Sequence, residues 1–148
     1  MKLLITGGCG FIGHHLALAL KIEGHEVVVC DSLMVNNLFS YQAKTQGEFS
    51  YLYTQFLNER LNLLREAGVK LYVVDARNYA DLEHVVTAEQ PDTIVHFAAV
   101  SHADRSNKDP HTTFDHSMIT LENSLELARR HVGHFVFFSS SMVYGTFE

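Results

Sequence analysis

The chain has 148 residues, 47% of them hydrophobic and 19% charged, the balance of a water-soluble globular domain with a sizeable core. A net charge of −6 without a basic run argues against nucleic acid as a partner. The apolar run after Met1-Lys2 stops at Thr6-Gly7-Gly8, too short for a signal peptide, and no stretch is long enough to cross a membrane.

Lys2-Leu3-Leu4-Ile5 reads as a first strand that breaks into Thr6-Gly7-Gly8-Cys9-Gly10-Phe11-Ile12-Gly13. Two glycine patterns overlap there, Gly8-x-Gly10-x-x-Gly13 and Thr6-Gly7-x-x-Gly10-x-x-Gly13. Gly7 and Gly10 are expected to take backbone angles closed to other residues, and Gly13 to let helix and strand pack closely. A dinucleotide pyrophosphate would then meet unpaired N–H groups at the helix start. Phe11 to Glu23 is the predicted first helix, with Ile12, Leu16, Ala19 and Leu20 as its buried face and Gly24 ending it.

Glu26-Val27-Val28-Val29-Cys30 reads as a parallel strand covered on both faces, ending at Asp31. An acid there, about 20 residues past the glycines, suits the adenosine ribose hydroxyls and disfavours a 2′-phosphate, so NAD is expected rather than NADP. Asn36 to Gly47 reads as an exposed loop. Glu48 to Ala67 reads as a long helix with Phe49, Leu52, Tyr53, Phe56, Leu63 and Leu64 in its apolar stripe. That stripe would cover the sheet; it is also a candidate homodimer surface.

Val69 to Val74 is the predicted third strand, running into Asp75-Ala76-Arg77. Tyr79 to Glu89 follows as a helix with Leu82, Val85 and Val86 inward, and Pro91-Asp92 breaks it. Thr93 to Phe97 is the fourth strand, running into Ala98-Ala99. Asp109 and Pro110 suit the N-cap and first position of the next helix. Phe114, Met118, Leu121, Leu125 and Ala128 form its expected apolar stripe, and Gly133 is its expected end. His134 to Phe138 is the fifth strand, leading into Ser139-Ser140-Ser141.

Alternating strands and helices predict an α/β, doubly wound parallel sheet of the Rossmann type, order 3-2-1-4-5, stopping after the fifth strand. Ligands of such sheets bind beyond the carboxyl ends of the strands. Here those ends carry the glycine turn, Asp31, Asp75, Ala98-Ala99 and the serines. The ten histidines fall into no metal-binding spacing, so no metal is expected. Cys9 and Cys30 suggest no disulfide, which points to a reducing cytoplasm.

From Met1 to about Gly145 the sequence resembles the extended short-chain dehydrogenase/reductase family, in particular its NAD-dependent nucleotide-sugar epimerases and dehydratases. The resemblance implies that Gly7, Gly10, Phe11, Ile12 and Gly13 form the pyrophosphate loop and that Asp31 and Ser32 meet the ribose. It implies that Asp75 and Ala76 hold adenine and that Phe97, Ala98 and Ala99 lie along the cofactor. Ser140 matches the family's catalytic serine or threonine, whose hydroxyl would hydrogen-bond the sugar oxygen; Tyr144 matches a structural tyrosine.

Two branches compete. Ala98 to Ser106 resembles nucleoside-diphosphate-glucose 4,6-dehydratases, but Ser141-Met142 stand where those enzymes carry an Asp-Glu pair. The serine triplet and Asp31-Ser32-Leu33 look more like UDP-galactose 4-epimerase. Ser117 replaces a common asparagine of the family. The family's base is the tyrosine of a Tyr-x-x-x-Lys motif, and none of the six tyrosines here has a lysine four residues on. The expectation is therefore residues 1–148 as an incomplete NAD-binding domain, the N-terminal half of an epimerase whose partner is a nucleotide-diphosphate sugar. A dehydratase or reductase, and a non-catalytic NAD-binding module, are the alternatives.

Overall fold

Parallel pairings join five strands into one sheet in a computed structural model of the chain, which describes residues 1–35, 37–39, 50–100 and 107–145, with only the backbone at 50, 141 and 142. β1 (Lys2–Thr6) pairs with β2 (Glu26–Asp31) on one side and β4 (Thr93–His96) on the other. β3 (Lys70–Val73) flanks β2, and β5 (His134–Phe137) flanks β4. The order is the predicted 3-2-1-4-5. Thr6 stands level with Cys30 and His96, so the three central strands release the chain at one edge. The winding direction reverses between β1 and β4, which opens a crevice at that edge.

The β1, β2 and β4 side chains other than Lys2, Glu26 and Asp31 are buried because helices cover both faces, as their apolar runs require. Strand residues alternate between the faces. Leu3, Ile5, Val27, Val29 and Val95 pack with Ala17 of α1 (Phe11–Ile22) and Leu64 of α2 (Ser50–Glu66). Leu4, Val28 and Ile94 pack with Leu82, Val85 and Val86 of α3 (Tyr79–Glu89) and Leu127 of α5 (Thr120–His131). Between α3 and α5 a short α4 (Pro110–Phe114) starts at Asp109, whose carboxylate accepts from Thr112 N at 3.0 Å, as the Asp-Pro pair predicts. Gly24 and Gly68, with φ of +83° and +68°, follow the ends of α1 and α2.

Helix faces depart from the periodic reading in three places. On α1 the buried residues are Gly13, His14 and Ala17; Leu16 and Leu20 pack at the margin, whereas Ile12 and Ala19 are exposed. Gly13 and Ala17 bring the helix close to the sheet, and Ile12 faces out toward the crevice. Beyond α4 a π-helical turn (Asp115–Ile119) widens the helix and shifts its phase. Thr120, Ser124, Leu127 and Ala128 consequently face inward, while Phe114, Met118 and Leu125 are exposed. Thr120 and Ser124 tolerate burial because their hydroxyls donate to Ala98 O and Thr120 O, at 2.8 and 2.7 Å. On α2 the inward residues are Leu57 and Leu64, with Leu61 partly buried; Leu52, Tyr53, Phe56 and Leu63 are exposed.

Two loop expectations also change. Asn37, expected in an exposed loop, is buried and donates from Nδ2 to Cys9 O at 3.3 Å; position 36, residues 40–47 and Phe49 lie outside the described residues. Val132 ends α5 in an extended conformation, so Gly133 is not a left-handed cap.

At the opposite, amino edge of the sheet, Glu89 ties three elements together. Its carboxylate meets Lys2 Nζ at 2.6 Å and also engages Lys70 Nζ and Tyr72 OH. The side chain is only 6% exposed. These three partners hold the carboxyl down to about 2. A depressed acid contributes stability above its unfolded pKa, and the contribution fades as pH falls from about 4.5 toward 2. Glu89→Gln is expected to lower unfolding free energy by about 1–3 kcal/mol at pH 7. In urea titrations the gap to the unmodified chain should narrow as pH drops through that window.

Candidate cofactor-binding site

The site is built on the turn between β1 and α1. Gly7 has φ +73°, and its N–H donates to Cys30 O at 2.8 Å, fastening the turn to β2. A Cβ on Gly7 would lie 2.8 Å from Ala98 N, so the turn also presses on the segment after β4. A Cβ on Gly13 would lie 2.7 Å from Gly8 Cα, which is why α1 can sit so low over the strand. Gly10 is different from expectation: its φ of −69° and ψ of 175° are open to any residue. As the N-cap of α1 it carries no capping side chain, and it lines the cavity above the turn. The first-turn N–H groups of α1 are thus left for an anion.

Asp31 stands beside this turn at the end of β2. Its Oδ2 accepts from Cys9 N at 2.9 Å and its Oδ1 from Leu33 N at 2.8 Å. Burial pushes its pKa up, against these two N–H groups, which favour the charged form. The bonds fix the plane of the carboxylate and leave further lone pairs for hydroxyl donors. Cys30, just before it, is a buried free thiol that burial raises to about 12, and Cys9 is raised in the same way. Both are inert, packed side chains.

Asp75 follows β3. Arg77 donates to it from Nε, from Nη2 at 2.6 Å and from its backbone N–H, and Arg77 also engages Asp115. These contacts, the Arg77 side chain foremost, hold the Asp75 carboxyl below its ordinary value. Asn123 Nδ2 on α5 donates to Ala76 O and Arg77 O, each at 2.9 Å, pinning the same loop. Beyond β4, Phe97 N donates to Thr6 O at 2.9 Å, and Val100 N donates to Ser117 Oγ at 3.2 Å. Ser117, which stands in place of the expected asparagine, therefore serves as a backbone anchor. Under the crevice His96 is 2% exposed, shares a hydrogen bond with Thr6 Oγ1 at 2.8 Å, and is lowered to about 4 by burial. It is neutral at pH 7 and is packed within the sheet below the site.

One cavity of about 480 Å³ gathers these groups. Its walls include Gly7, Gly10, Phe11, Ile12, Gly13, Asp31, Ser32, Asp75, Ala76, Phe97, Ala98 and Ala99, every residue that the sequence assigns to cofactor binding. Ser140 is not among them; it lies exposed between β5 and the 3₁₀ turn Ser141–Tyr144. The cavity is also lined by Asn37, Arg60, His116 and Thr120, which sequence reasoning missed. Asn37 fell in a segment read as loop, and Arg60 lies on a helix read only through its apolar positions. His116 and Thr120 are turned inward by the π turn, which has no sequence signature.

The cavity fits a dinucleotide on its own chemistry: a glycine turn that side chains would fill, uncapped N–H groups at one end of the crevice and a carboxylate for hydroxyls beside them. The chain matches the sequence model of the NAD dependent epimerase/dehydratase family over residues 3–148. It is 34% identical over 146 residues to Protein CapI of Staphylococcus aureus, covering 98% of this chain and 39% of that protein. It is 28% identical over 148 residues to the dTDP-D-glucose 4,6-dehydratase of Dictyostelium discoideum, covering 98% of this chain and 30% of the relative. Among solved structures, UDP-glucose 4-epimerase from Bifidobacterium longum, in complex with NAD+ and UDP, superposes with a TM-score of 0.78 at 26% identity. That match covers 99% of this chain and 39% of the epimerase. The chain thus spans well under half the length of these relatives.

Gly13→Ala tests the close approach that shapes the turn. The added methyl meets backbone rather than a movable side chain, so unfolding free energy should fall by about 1–3 kcal/mol in a denaturant titration. An unchanged midpoint would mean that α1 can lift off the strand without cost.

Proposed function

Starting from the fact that the chain belongs to the NAD-dependent epimerase/dehydratase family, we propose that it is the NAD-binding part of a nucleotide-sugar epimerase. The observation that carries this reading is the convergence of the glycine turn, Asp31, Asp75 and the Ala98-Ala99 pair on one cavity. NAD, when bound, supplies a reversible hydride acceptor for the sugar. The work of this chain is to hold and orient it. The α1 N–H groups and the glycine turn meet the pyrophosphate, and the Asp31 carboxylate accepts from the ribose hydroxyls beside Ser32. Asp75 and Ala76 flank the adenine. Phe97, Ala98 and Ala99 lie along the cofactor, the small pair leaving it room.

Ser140 is the proposed sugar-facing group: its hydroxyl would bond the sugar oxygen that loses its proton during oxidation. The tyrosine base belongs to sequence beyond residue 148 in this reading, so residues 1–148 form one domain that binds cofactor without turning substrate over. Epimerisation is favoured over dehydration because Met142, at a position where the dehydratases carry an acid, has no proton to transfer. The resemblance of Ala98 to Ser106 to the dehydratases favours the second reading, a 4,6-dehydratase or reductase; of that segment, residues 101–106 lie outside the described set. A non-catalytic NAD-binding module is the third. The substrate class is a nucleotide-diphosphate sugar and the compartment the cytoplasm, where Cys9 and Cys30 would stay reduced; the exposed apolar residues of α2 are a candidate homodimer surface.

NAD should raise the melting temperature of the chain, and Gly10→Val, which puts a side chain into the cavity, should abolish that rise. In the complete enzyme, Asp31→Ala should lower the NAD-over-NADP preference by about tenfold or more, the worth of a charged hydrogen bond; an unchanged ratio would remove Asp31 from the ribose site. Reading the gene past Glu148 should reveal Tyr-x-x-x-Lys, and a stop codon there would leave the module reading. A 4-keto-6-deoxy product from the complete enzyme would replace epimerase by dehydratase.

A further inference from the structure

The cavity is lined by two aspartates, yet the ligand proposed for it carries a diphosphate. Asp75 has its counter-ion in Arg77, and Asp31 is held by backbone N–H groups. Among the described residues, the lysine or arginine that lines the cavity is Arg60, from the middle of α2. Its guanidinium carbon stands 5.6 Å from the centroid of the Phe11 ring, over the first residue of α1. Its charge reaches Cys9, where it opposes the burial that raises the thiol, and His14, where it adds to the burial that lowers the ring. Phe11, Cys9 and His14 all border the glycine turn. Among the described residues no carboxylate forms an ion pair with Arg60.

Within the NAD reading above, on which this rests, we propose that Arg60 is a phosphate-binding residue of the site, with its guanidinium directed to the cofactor's diphosphate at the α1 N-terminus. The glycine turn contributes neutral donors only, and an arginine adds charge and a planar donor fork. The Phe11 ring, 5.6 Å from the guanidinium carbon, gives the fork a cation–π contact at the mouth of the turn. The helix between β2 and β3 thereby becomes part of the site as well as a cover for the sheet. A 2′-phosphate presents the same chemistry, but Asp31 occupies the ribose end, and the neighbours of Arg60 are those of the turn.

The test is equilibrium binding of adenosine, ADP, ADP-ribose and 2′-AMP to the chain and to Arg60→Ala and Arg60→Lys. Arg60→Ala is expected to weaken ADP and ADP-ribose by roughly 10- to 100-fold and to leave adenosine within about twofold. Arg60→Lys should recover part of the loss, and the salt dependence of ADP binding should flatten in Arg60→Ala. Unchanged ADP affinity overturns the proposal. So does an equal loss for adenosine and ADP, which would mean that Arg60 only supports packing, or a loss confined to 2′-AMP. If the unmodified chain binds none of the four, the NAD reading fails and Arg60 falls with it; a loss of binding only in the variants cannot be mistaken for that result.

Discussion

Everything at the carboxyl edge depends on how closely α1 approaches β1. Two glycines meet across that contact: Gly13 on the helix rests on Gly8 of the turn, with 2.7 Å left for any Cβ. A third, Gly7, presses its backbone against Ala98 after β4. These contacts draw the N-terminus of α1 down to the level at which β2 and β4 release their chains. Lift the helix by the width of a methyl group, and the N–H groups, Asp31 and the Ala98-Ala99 pair no longer face one volume. The constraint also explains the α1 face: Gly13 and Ala17 are buried with His14, and Phe11 and Ile12, which would obstruct a close approach, turn toward the crevice.

The electrostatics of the edge follow from that geometry. The protein is acidic overall, and carboxylates stand at the ends of two adjacent strands. Neither is a loose charge. Asp31 is oriented by two backbone N–H groups, and Asp75 is neutralised by Arg77, which α5 and the π turn help to hold through Asn123 and Asp115. The opposite edge is organised differently, around Glu89 and its lysines. One fold therefore separates a polar, open edge from an ion-paired one.

The sheet was legible from the chain because its signals are local. β-Branched runs such as Glu26 to Cys30, bounded by glycine, can be little else than buried parallel strands. The cofactor-side residues were legible for a related reason: each lies just past a strand, where the topology must bring it to the crevice. Helix rotation was not legible. The 114-118-121-125 stripe was sound as an α-helical pattern, but the π turn between Asp115 and Ile119 shifted its phase and brought Thr120 and Ser124 inward. Arg60 was hidden for another reason: which way a surface arginine reaches depends on the helix packed beside it, here α1 with Phe11 at its tip.

The central claim is that the carboxyl edge, organised by the α1 approach, is where a dinucleotide sits. Backbone amide NMR during an NAD titration tests it most directly. The account predicts saturable shifts for the amides of residues 7–13, for Leu33 and for Ala98 and Ala99, with Glu26, Lys70 and Glu89 at the far edge unmoved. Shifts centred on the far edge, or none at the turn at millimolar NAD, would contradict it.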